Sequence, residues 1–339
     1  MIELNEEQIK NNWVTSIDEI KVSICCIAYN QELYISEAID SFLKQKTSFP
    51  FEILISDDCS SDATKEIIER YVRKFPGIIK SVGVDKNLGA NGNILNVFSH
   101  AKGNYIAFCE GDDYWIDDNK LQVQFEAMES NPDIKFSFHP CYLQKNDKLN
   151  ESRSFYKGPN FKLFNINDVL SSLNQFAPTA SYMFHISVID IIPDWFTKAP
   201  VGDLFLELYG MKKNEGLYIP NIHSVYRIAS LGSWSTETQK ETTTHKNRHL
   251  KLIEYLTFAQ KDFPEYVNAF SRKKAYIFLS LATRAVKVGN YQDFKKYLKA
   301  ANEHYEKLDF RHNFFNYMHK YPQFIRMFIT IKNRFLQNK

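Results

Sequence analysis

The sequence predicts an α/β fold in which an open parallel sheet is followed by a C-terminal helical region. Apolar runs of strand length alternate with segments of helical spacing from Lys21 onward. The strand-like runs are apolar throughout, which is typical of strands buried on both faces of a parallel sheet. Polar residues follow each run, and open α/β sheets bind their ligands beyond the carboxyl ends of the strands.

The first part of this pattern predicts a series of strands joined by helices. The strands are expected at 22–29, 51–56, 78–84 and 104–109, and the helices at 33–45, 62–75 and 91–101. The helical segments are amphipathic, because their apolar residues recur at three- and four-residue spacing. In the first helix these residues are Ile35, Ala38, Ile39, Phe42 and Leu43.

The pattern changes beyond Lys120, and the chain ends in a predicted run of helices. The first part of this region is expected to contain a helix at 119–130, strands at 134–143, 178–187 and 219–228, and a helix at 202–213. The last part is expected to form helices at 240–259, 264–288, 291–306 and 311–335. We therefore expect a lead-in helix within 1–20, an α/β domain at 21–235 with halves at 21–130 and 131–235, and a helical region at 236–339.

Composition limits the classes of protein that this chain can belong to. The net charge of +2 over 339 residues argues against a nucleic-acid partner. Five cysteines without a C-x-x-C spacing favour a reduced compartment and argue against structural zinc. The polar, acidic N-terminus does not resemble a signal peptide, and no run of roughly 18 apolar residues is present. These features predict a cytoplasmic protein.

The segment CEGDDYW places three carboxylates directly after a predicted strand. Glu110, Asp112 and Asp113 repel one another, which raises their pKa values unless a positive charge neutralises them. A bound divalent cation is one source of that charge, and oxygen ligands suit Mg²⁺ or Mn²⁺. The alternative is a solvated acidic loop that caps the next helix.

Two other loops admit both a structural and a functional interpretation. Asp57 lies at the end of the second strand, where a carboxylate can accept the imide N–H of a uracil-like base. The residues that follow it, SSD, are typical of a helix cap. Asn87 and Gly89 belong to NLGANGN, which is either a tight turn or a place where small residues let a bulky ligand approach the backbone.

Four segments together resemble the inverting family 2 glycosyltransferases with the GT-A fold. They are VSICCIAYNQELYISEAIDSFLKQ, FEILISDDCSSDATKEII, NLGANGN and GNYIAFCEGDDYWIDDNKLQVQ, in the order and spacing of that family. The resemblance is close over about 21–130 and looser to about 235. It implies a nucleotide site formed by Ala28, Tyr29, Asn30, Asp57, Asn87, Gly89, Glu110 and Gly111, and a metal and diphosphate site formed by Asp112 and Asp113. Glu110 replaces the aspartate that is usual at that position.

The resemblance also implies roles for residues of the second half. Asp203, at the start of a predicted helix, matches the position of the catalytic base, although a helix cap would explain it as well. Thr179 and Ser181 would line the sugar and acceptor pocket, although a packed strand would explain them equally well. Arg227, or the turn at 233–235 that contains Trp234, would touch the diphosphate. Many related sequences carry a histidine shortly after the Tyr-Arg pair, but Ala229 follows Ile228 here, so this histidine is missing and the identity of a third protein ligand to the metal stays open.

These implications predict a metal-dependent inverting glycosyltransferase. It would use Mn²⁺ or Mg²⁺ to move a hexosyl or N-acetylhexosaminyl group from a nucleotide-diphosphate donor, a UDP-sugar, to a glycan or lipid-linked acceptor. A role in bacterial surface polysaccharide assembly follows from the resemblance alone. The alternative is a catalytically inactive, nucleotide-sugar-binding scaffold protein. A sugar nucleotidyltransferase fits poorly, because AYNQELY lacks the glycine-rich phosphate loop with basic residues.

The last thirty residues form a basic and aromatic segment. Residues 310–339 contain no Asp or Glu, and their spacing predicts an amphipathic helix. Such a helix can lie on an anionic membrane surface, here the inner face of the plasma membrane. It can equally pack on the catalytic domain or on another subunit, so the sequence leaves these occupants and the oligomeric state open.

Overall fold

The computed structural model describes residues 3–14, 19–145, 148–151, 155–228 and 242–337. The chain forms two compact units. The first comprises Met1–Val169 and Asn174–Lys240, and the second comprises Leu170–Leu173 and Glu241–Lys339.

The first unit contains two sheets with helices between the strands. The strands are β1 (Val22–Ala28), β2 (Phe51–Asp57), β3 (Ile79–Ser81), β4 (Tyr105–Glu110), β5 (Tyr114–Trp115), β6 (Phe136–Phe138), β7 (Cys141–Lys145), β8 (Lys148–Glu151), β9 (Lys162–Phe164), β10 (Met183–His185), β11 (Gly216–Tyr218) and β12 (Ser224–Arg227). The helices are α1 (Glu6–Lys10), α2 (Ile35–Leu43), α3 (Thr64–Lys74), α4 (Gly89–Ser99), α5 (Lys120–Glu129), α6 (Ile166–Ser171), which continues into the second unit, and α7 (Asp203–Gly210).

The larger sheet has eight strands in the order β3-β2-β1-β4-β10-β6-β11-β9. Its first four strands are parallel, as predicted, whereas β10 runs antiparallel to both β4 and β6. The smaller sheet has the order β5-β12-β7-β8. The predicted α/β class with a central parallel sheet is therefore confirmed, and the second half of the sheet is mixed.

The core of the first unit lies on both faces of β1 and β2, whose residues are buried along the whole length of each strand. Helix α2 packs its predicted face, including Ile35, Ile39 and Phe42, into this core. Each apolar side chain of this size contributes about 1.5–3 kcal/mol when it is removed from water. Continuous apolar strands thus form here because water reaches neither face of the sheet.

Several predicted elements differ from the observed ones at their ends. The strand expected at 78–84 is limited to β3, and the one expected at 178–187 is a 3-10 helix (Thr179–Ser181) followed by β10. Strand β11 was not predicted, and the strand expected at 219–228 is limited to β12. The lead-in helix is the five-residue α1, whose N-terminus is capped by Asn5 and Gln8.

The second unit is helical. Its helices are α8 (Thr242–Gln260), a 3-10 turn (Pro264–Tyr266), α9 (Val267–Lys287), α10 (Tyr291–His304), α11 (Phe310–Met318) and α12 (Pro322–Gln337). The prediction of one continuous helix over 311–335 is wrong. Pro322 has no backbone N–H to continue a helix and suits the first helical position, so the chain ends α11 and begins α12 there. Over the residues with assigned structure, no helix has both the length and the apolar character needed to cross a bilayer.

Candidate functional site

The ends of three neighbouring parallel strands bring the predicted site residues to one edge of the sheet. Ala28 is the register partner of Asp57, and Ile27 is the partner of Glu110. Backbone hydrogen bonds extend this pairing, since Asp58 N–H donates to Ala28 O and Gly111 N–H donates to Ile27 O, both over 2.9 Å. The loops after β1, β2 and β4 therefore start side by side, as the sequence predicted.

The loop after β1 is held against the loop after β2 by Asn30. Its backbone has a positive φ of 51°, a conformation in which asparagine is enriched. Asn30 N–H donates to Ser60 Oγ, and Asn30 Oδ1 accepts from Ser61 N–H, each over 2.8 Å. Tyr29 is 45% exposed next to this contact, which leaves its ring accessible to a planar ligand.

Asp57 is buried, and its carboxylate accepts hydrogen bonds from the loop after β2 and not from the N-terminus of helix α3. Ser60 donates to it twice, from N–H to Oδ2 over 3.2 Å and from Oγ to Oδ1. Helix α3 begins at Thr64, beyond the reach of these contacts, and Asp62 accepts from Thr64 N–H over 3.0 Å. An ionised carboxylate has about four acceptor positions, so Asp57 retains the capacity to accept a further N–H.

Asn87 and Gly89 shape the turn before α4 and connect it to the same edge. Asn87 Nδ2 donates to Asp58 O over 3.0 Å, and Asp58 Oδ1 accepts from Leu88 N–H over 2.7 Å. Gly89 has a φ of +73°, and a side chain at that position would meet open space. The glycine is therefore required by its backbone conformation and not by a close approach of protein atoms.

Glu110 is half-buried and Asp113 is buried, and the pKa values of both carboxyl groups are raised. Burial, followed by the charges of Asp112 and Asp203, raises the pKa of Glu110 to about 8, although Thr179 Oγ1 opposes this by donating to Glu110 Oε2 over 2.9 Å. Asp113 is 1% exposed, and burial followed by the charges of Asp112 and Glu110 raises its pKa. Carboxyl groups are therefore concentrated at this edge, where each one favours the protonated form of its neighbours.

One oxygen of Asp113 has no hydrogen-bond partner among the described residues. Asp113 Oδ1 accepts from Arg227 N–H over 2.8 Å, whereas Asp113 Oδ2 is buried without a hydrogen-bond partner in the part of the chain that the structure describes. An unpartnered buried carboxylate oxygen is costly, and a cation would relieve it.

The fit of a divalent cation can be judged from the donor set. Across the described ranges, no group of three or more His, Cys, Asp or Glu side chains is arranged to hold a metal ion. Mg²⁺ and related ions need only one or two carboxylates where phosphates and water complete the shell. Asp112 and Asp113 supply two carboxylates, and Asp113 Oδ2 has no hydrogen-bond partner among the described residues. The two residues therefore fit a cation that binds together with a diphosphate.

Asp203 is the first residue of α7, and its charge contributes to the raised pKa of Glu110. Its Oδ1 accepts from Leu204 N–H over 2.8 Å. The segment before it is held by Asn91, whose Nδ2 donates to Phe196 O over 3.0 Å and to Ala199 O over 2.9 Å. Asn91 lies within the NLGANGN motif, but its role could not be predicted from the sequence, because its partners lie more than a hundred residues away and leave no local signal.

The remaining predicted residues have different surroundings. Thr179 contacts Glu110 and so lies at the site. Ser181 is fully buried, and its hydroxyl donates to Pro178 O over 2.6 Å, so it does not line an open pocket. Arg227 binds the loop that carries Asp112. Trp234 and Ala229 lie outside the described residues.

Comparison with known proteins identifies the family. The model of glycosyl transferase family 2 matches residues 23–190. WfgD of Escherichia coli, a UDP-Glc:alpha-D-GlcNAc-diphosphoundecaprenol beta-1,3-glucosyltransferase, is 37% identical over 133 residues, which cover 39% of this chain and 50% of WfgD. TarS of Staphylococcus aureus, a poly(ribitol-phosphate) beta-N-acetylglucosaminyltransferase, is 37% identical over 99 residues, or 28% of this chain and 17% of TarS. The chain spans about half the length, or less, of these curated relatives.

Solved structures confirm the fold. The structure of TarS 1–349 with UDP has a TM-score of 0.50 at 17% identity and covers 85% of this chain and 90% of that one. The mannosyltransferase PcManGT from Pyrobaculum calidifontis, solved with GDP-Man and Mn²⁺, has a TM-score of 0.55 at 14% identity and covers 93% and 90%. Through residues 23–190 the chain therefore belongs to glycosyl transferase family 2, and its sheet has the GT-A fold.

Proposed function

We propose that this protein is a metal-dependent inverting glycosyltransferase that uses a UDP-sugar and a glycan or lipid-linked acceptor. The observation that carries the proposal is the register of β1, β2 and β4, which puts Asp57 and Glu110 at one sheet edge. The substrates for which two relatives are named support the proposed donor and acceptor. WfgD is named for a UDP-Glc donor and a diphosphoundecaprenol acceptor, and TarS for N-acetylglucosaminyl transfer to a poly(ribitol-phosphate).

The loops after β1 and β2 would bind the nucleotide. Asp57 would accept the imide N–H of uracil, and Ser60 holds the carboxylate in place with two hydrogen bonds. Asn30 keeps the two loops together, and the exposed ring of Tyr29 would pack on the base. Because cytosine has no imide N–H and guanine has a different shape, this arrangement favours a uridine nucleotide.

Asp112 and Asp113 would hold Mn²⁺ or Mg²⁺, which when bound would stabilise the negative charge of the departing diphosphate. The protein contributes the orientation of these two carboxylates. Asp113 is fixed through its Oδ1 by Arg227 N–H, and its Oδ2 has no hydrogen-bond partner in the part of the chain that the structure describes. Glu110, whose pKa is about 8, holds a proton near neutral pH until positive charge reaches the site.

Asp203 would act as the base in the acceptor half of the site. In an inverting transfer the acceptor hydroxyl attacks the anomeric carbon from the side opposite the diphosphate, and a base within hydrogen-bond reach takes its proton. The influence of Asp203 on Glu110 is consistent with a carboxylate facing the same space. Asn91 supports its position by holding the segment before α7.

Binding of nucleotides with and without Mn²⁺ tests this proposal. Calorimetric titrations with UDP and GDP should show tighter binding of UDP and a strong dependence on Mn²⁺. Asp112→Asn should abolish the Mn²⁺-dependent part. Asp118→Asn, in an exposed ion pair with Lys46, is the matched control and should behave like wild type. Binding that is the same with and without Mn²⁺ would refute the metal assignment.

Release of UDP from UDP-glucose or UDP-N-acetylglucosamine separates an enzyme from a scaffold protein. An active transferase should hydrolyse its donor slowly in the presence of Mn²⁺, and this release should stop in Asp112→Asn. A scaffold protein would bind UDP-sugars and release no UDP. That outcome would establish the alternative function, an inactive nucleotide-sugar-binding protein of a glycan assembly complex.

We also propose a cytoplasmic location with peripheral contact at the inner face of the plasma membrane through residues 310–339. Helices α11 and α12 and the turn between them expose Phe310, Tyr317, Tyr321, Phe324, Met327 and Phe328, which we propose act together as one aromatic and apolar patch. Phe310 is 81% and Tyr317 is 84% exposed. The lack of acidic residues in this segment gives charge complementarity with anionic lipids.

Sedimentation with vesicles tests the membrane contact. Full-length protein should sediment with phosphatidylglycerol vesicles, less with phosphatidylcholine vesicles, and less at high salt. Tyr317→Ser combined with Phe328→Ser should remove most of the binding. Val288→Ser, an exposed apolar residue outside the patch, is the control. A wild-type protein that never sediments with anionic vesicles would refute this part of the proposal.

A further inference from the structure

Arg227, the last residue of β12, binds the carboxylate loop through both its backbone and its side chain. Its backbone N–H donates to Asp113 Oδ1 over 2.8 Å, and Nη1 donates to Asp112 O over 2.6 Å. The guanidinium carbon lies 4.5 Å from the ring centroid of Tyr114, the next residue along the loop. One arginine therefore contacts three consecutive residues that include both predicted metal ligands.

The other side of the guanidinium is held by helix α2. Arg227 Nη2 donates to Glu37 Oε2, and the guanidinium carbon lies 5.1 Å from the ring centroid of Tyr34. The Arg227 side chain is only 9% exposed as a result. Two hydrogen-bond acceptors and two aromatic rings hold the guanidinium, and a lysine ammonium cannot reproduce these contacts because it lacks the planar fork of donors.

The pairing of β12 with β5 adds to this connection. Val225 pairs with Tyr114 and Ser224 with Trp115, and Ile116 N–H donates to His223 O over 2.9 Å. The loop at 112–116 is thus held along its length by β12, with Arg227 at the end that carries the carboxylates. The charge of Arg227 also opposes the rise in the Asp113 pKa.

We propose that Arg227 is a positioning residue that sets the orientation of the Asp112–Asp113 loop for a cation and a diphosphate, with Glu37 holding the guanidinium in place. This role differs from the direct diphosphate contact that the sequence predicted, because the fork of Arg227 is already occupied by Asp112 O and Glu37. The inference rests on the proposed function for its consequence in binding. Its structural part, the ordering of the loop, is independent of any ligand.

Amide exchange and UDP binding, both measured on the full chain, test the role of Arg227. The variants are Arg227→Gln, Arg227→Lys and Glu37→Gln, and the control is Arg73→Gln. Arg73 is 66% exposed and pairs with Glu69 on the same unit. In the ligand-free protein, amide exchange at 112–116 should become faster in Arg227→Gln and be unchanged in the control. With Mn²⁺ present, Arg227→Gln should weaken UDP binding by about 10–100-fold, the usual effect of losing a group that orients metal ligands.

The variants separate positioning from direct contact. Arg227→Lys keeps the positive charge but not the planar fork of donors, so its UDP affinity with Mn²⁺ should lie between those of wild type and Arg227→Gln. Glu37→Gln should lower this affinity less than Arg227→Gln does, because Glu37 is half-exposed. UDP binding without Mn²⁺ should be unchanged in all variants. Equal losses with and without Mn²⁺, together with unchanged exchange at 112–116, would overturn the inference in favour of direct contact.

The two proposals fail differently. If wild type binds neither UDP nor GDP, the proposed function is wrong, and amide exchange at 112–116 alone decides whether Arg227 orders the loop. If wild type binds UDP with Mn²⁺ and Arg227→Gln binds it equally well, the proposed function stands and the inference is wrong.

Discussion

The Thr179 hydroxyl donates a hydrogen bond of 2.9 Å to Glu110 Oε2 and so connects the 3-10 turn before β10 with the end of β4. β4 belongs to the parallel part of the sheet and β10 is its antiparallel neighbour. This contact is therefore made where the nucleotide half of the domain meets the predicted acceptor half. It favours the ionised form of Glu110 against burial and the neighbouring charges, both of which favour the protonated form.

Replacing Thr179 by valine should shift the pH dependence of cation binding. Valine has the same shape but no hydroxyl, so the ionised Glu110 loses its hydrogen bond and the pKa of Glu110 rises further. A hydrogen bond to a charged group is worth about 1.5–3 kcal/mol, which corresponds to a shift of roughly one pH unit or more. UDP titrations with Mn²⁺ between pH 6 and pH 9 should show the midpoint of the affinity moving upward.

Thr179→Ser is the control for that measurement, because serine keeps the hydroxyl and loses only a methyl group. Its midpoint should stay near that of wild type. A valine variant whose midpoint does not move would mean that Glu110 does not control cation binding.

Glu110→Gln should change how stability depends on pH. A carboxyl whose pKa is higher in the folded chain binds its proton more tightly when folded. The contribution of Glu110 to the free energy of unfolding is therefore greatest below the ordinary value of 4.5 and is lost as the pH rises through about 8. Glutamine cannot ionise, so the variant should lose less stability over this window and exceed wild type at pH 8. Urea unfolding at pH 5, 6, 7 and 8 checks this.

Other buried groups affect the absolute curve, and Asp113 also affects the difference between the two proteins, because the charge of Glu110 contributes to the raised pKa of Asp113. The raised pKa of Asp113 acts in the same direction as that of Glu110. Burial lowers the pKa of Lys120 from 10.5 to about 7, so Lys120 adds stability as the pH rises from 7 to 10.5. Parallel curves for wild type and Glu110→Gln would show that Glu110 has no raised pKa in solution.

The parts of the fold that the sequence predicted are those determined by local pattern. β1 and β2 are continuous apolar runs because they are buried on both faces, and α2 has one apolar face because it packs on them. The direction of β10 has no such signal, because a three-residue buried strand has the same pattern in either orientation. Pro322 did carry a signal, and the prediction of a single helix ignored it in favour of the amphipathic spacing on both sides.

The site residues likewise fall into those that a local pattern predicts and those that it does not. Asp57 and Glu110 could be predicted because each follows a strand, and parallel strands end at a common edge. Glu37 and Asn91 could not, because they act through partners far away in the sequence, Arg227 and the segment at 196–199. No local pattern distinguishes Glu37 from any other charged residue on the exposed face of a helix.

Asp203→Asn should separate binding from transfer. The amide cannot take a proton from the acceptor, so donor turnover should fall by about 10²–10⁴-fold, while the affinity for UDP with Mn²⁺ stays near that of wild type. Release of UDP from UDP-sugars and UDP titrations measure the two properties separately. Asp194→Asn, an exposed aspartate in a nearby 3-10 turn, is the control. A loss of affinity equal to the loss of turnover would make Asp203 a binding or structural residue.

Gly111→Ala should weaken cation-dependent binding through a local steric effect. A Cβ at position 111 would collide with Gln31 Oε1 and lie 2.8 Å from Ile35 Cδ1 and 3.2 Å from Ile27 O. The backbone oxygen cannot move away easily, so the loop that begins at Gly111 must shift and carry Asp112 with it. We expect UDP affinity with Mn²⁺ to fall by about tenfold and stability to fall by about 1–3 kcal/mol.

A second substitution shows whether crowding is the cause. Ile35→Val removes the Cδ1 atom that the new methyl group would meet, so Gly111→Ala combined with Ile35→Val should recover part of the affinity, whereas Ile35→Val alone should bind like wild type. Calorimetric titration of the three variants and wild type measures this coupling. If the double variant binds no better than Gly111→Ala, the close approach of Ile35 to Gly111 does not determine the position of the carboxylate loop.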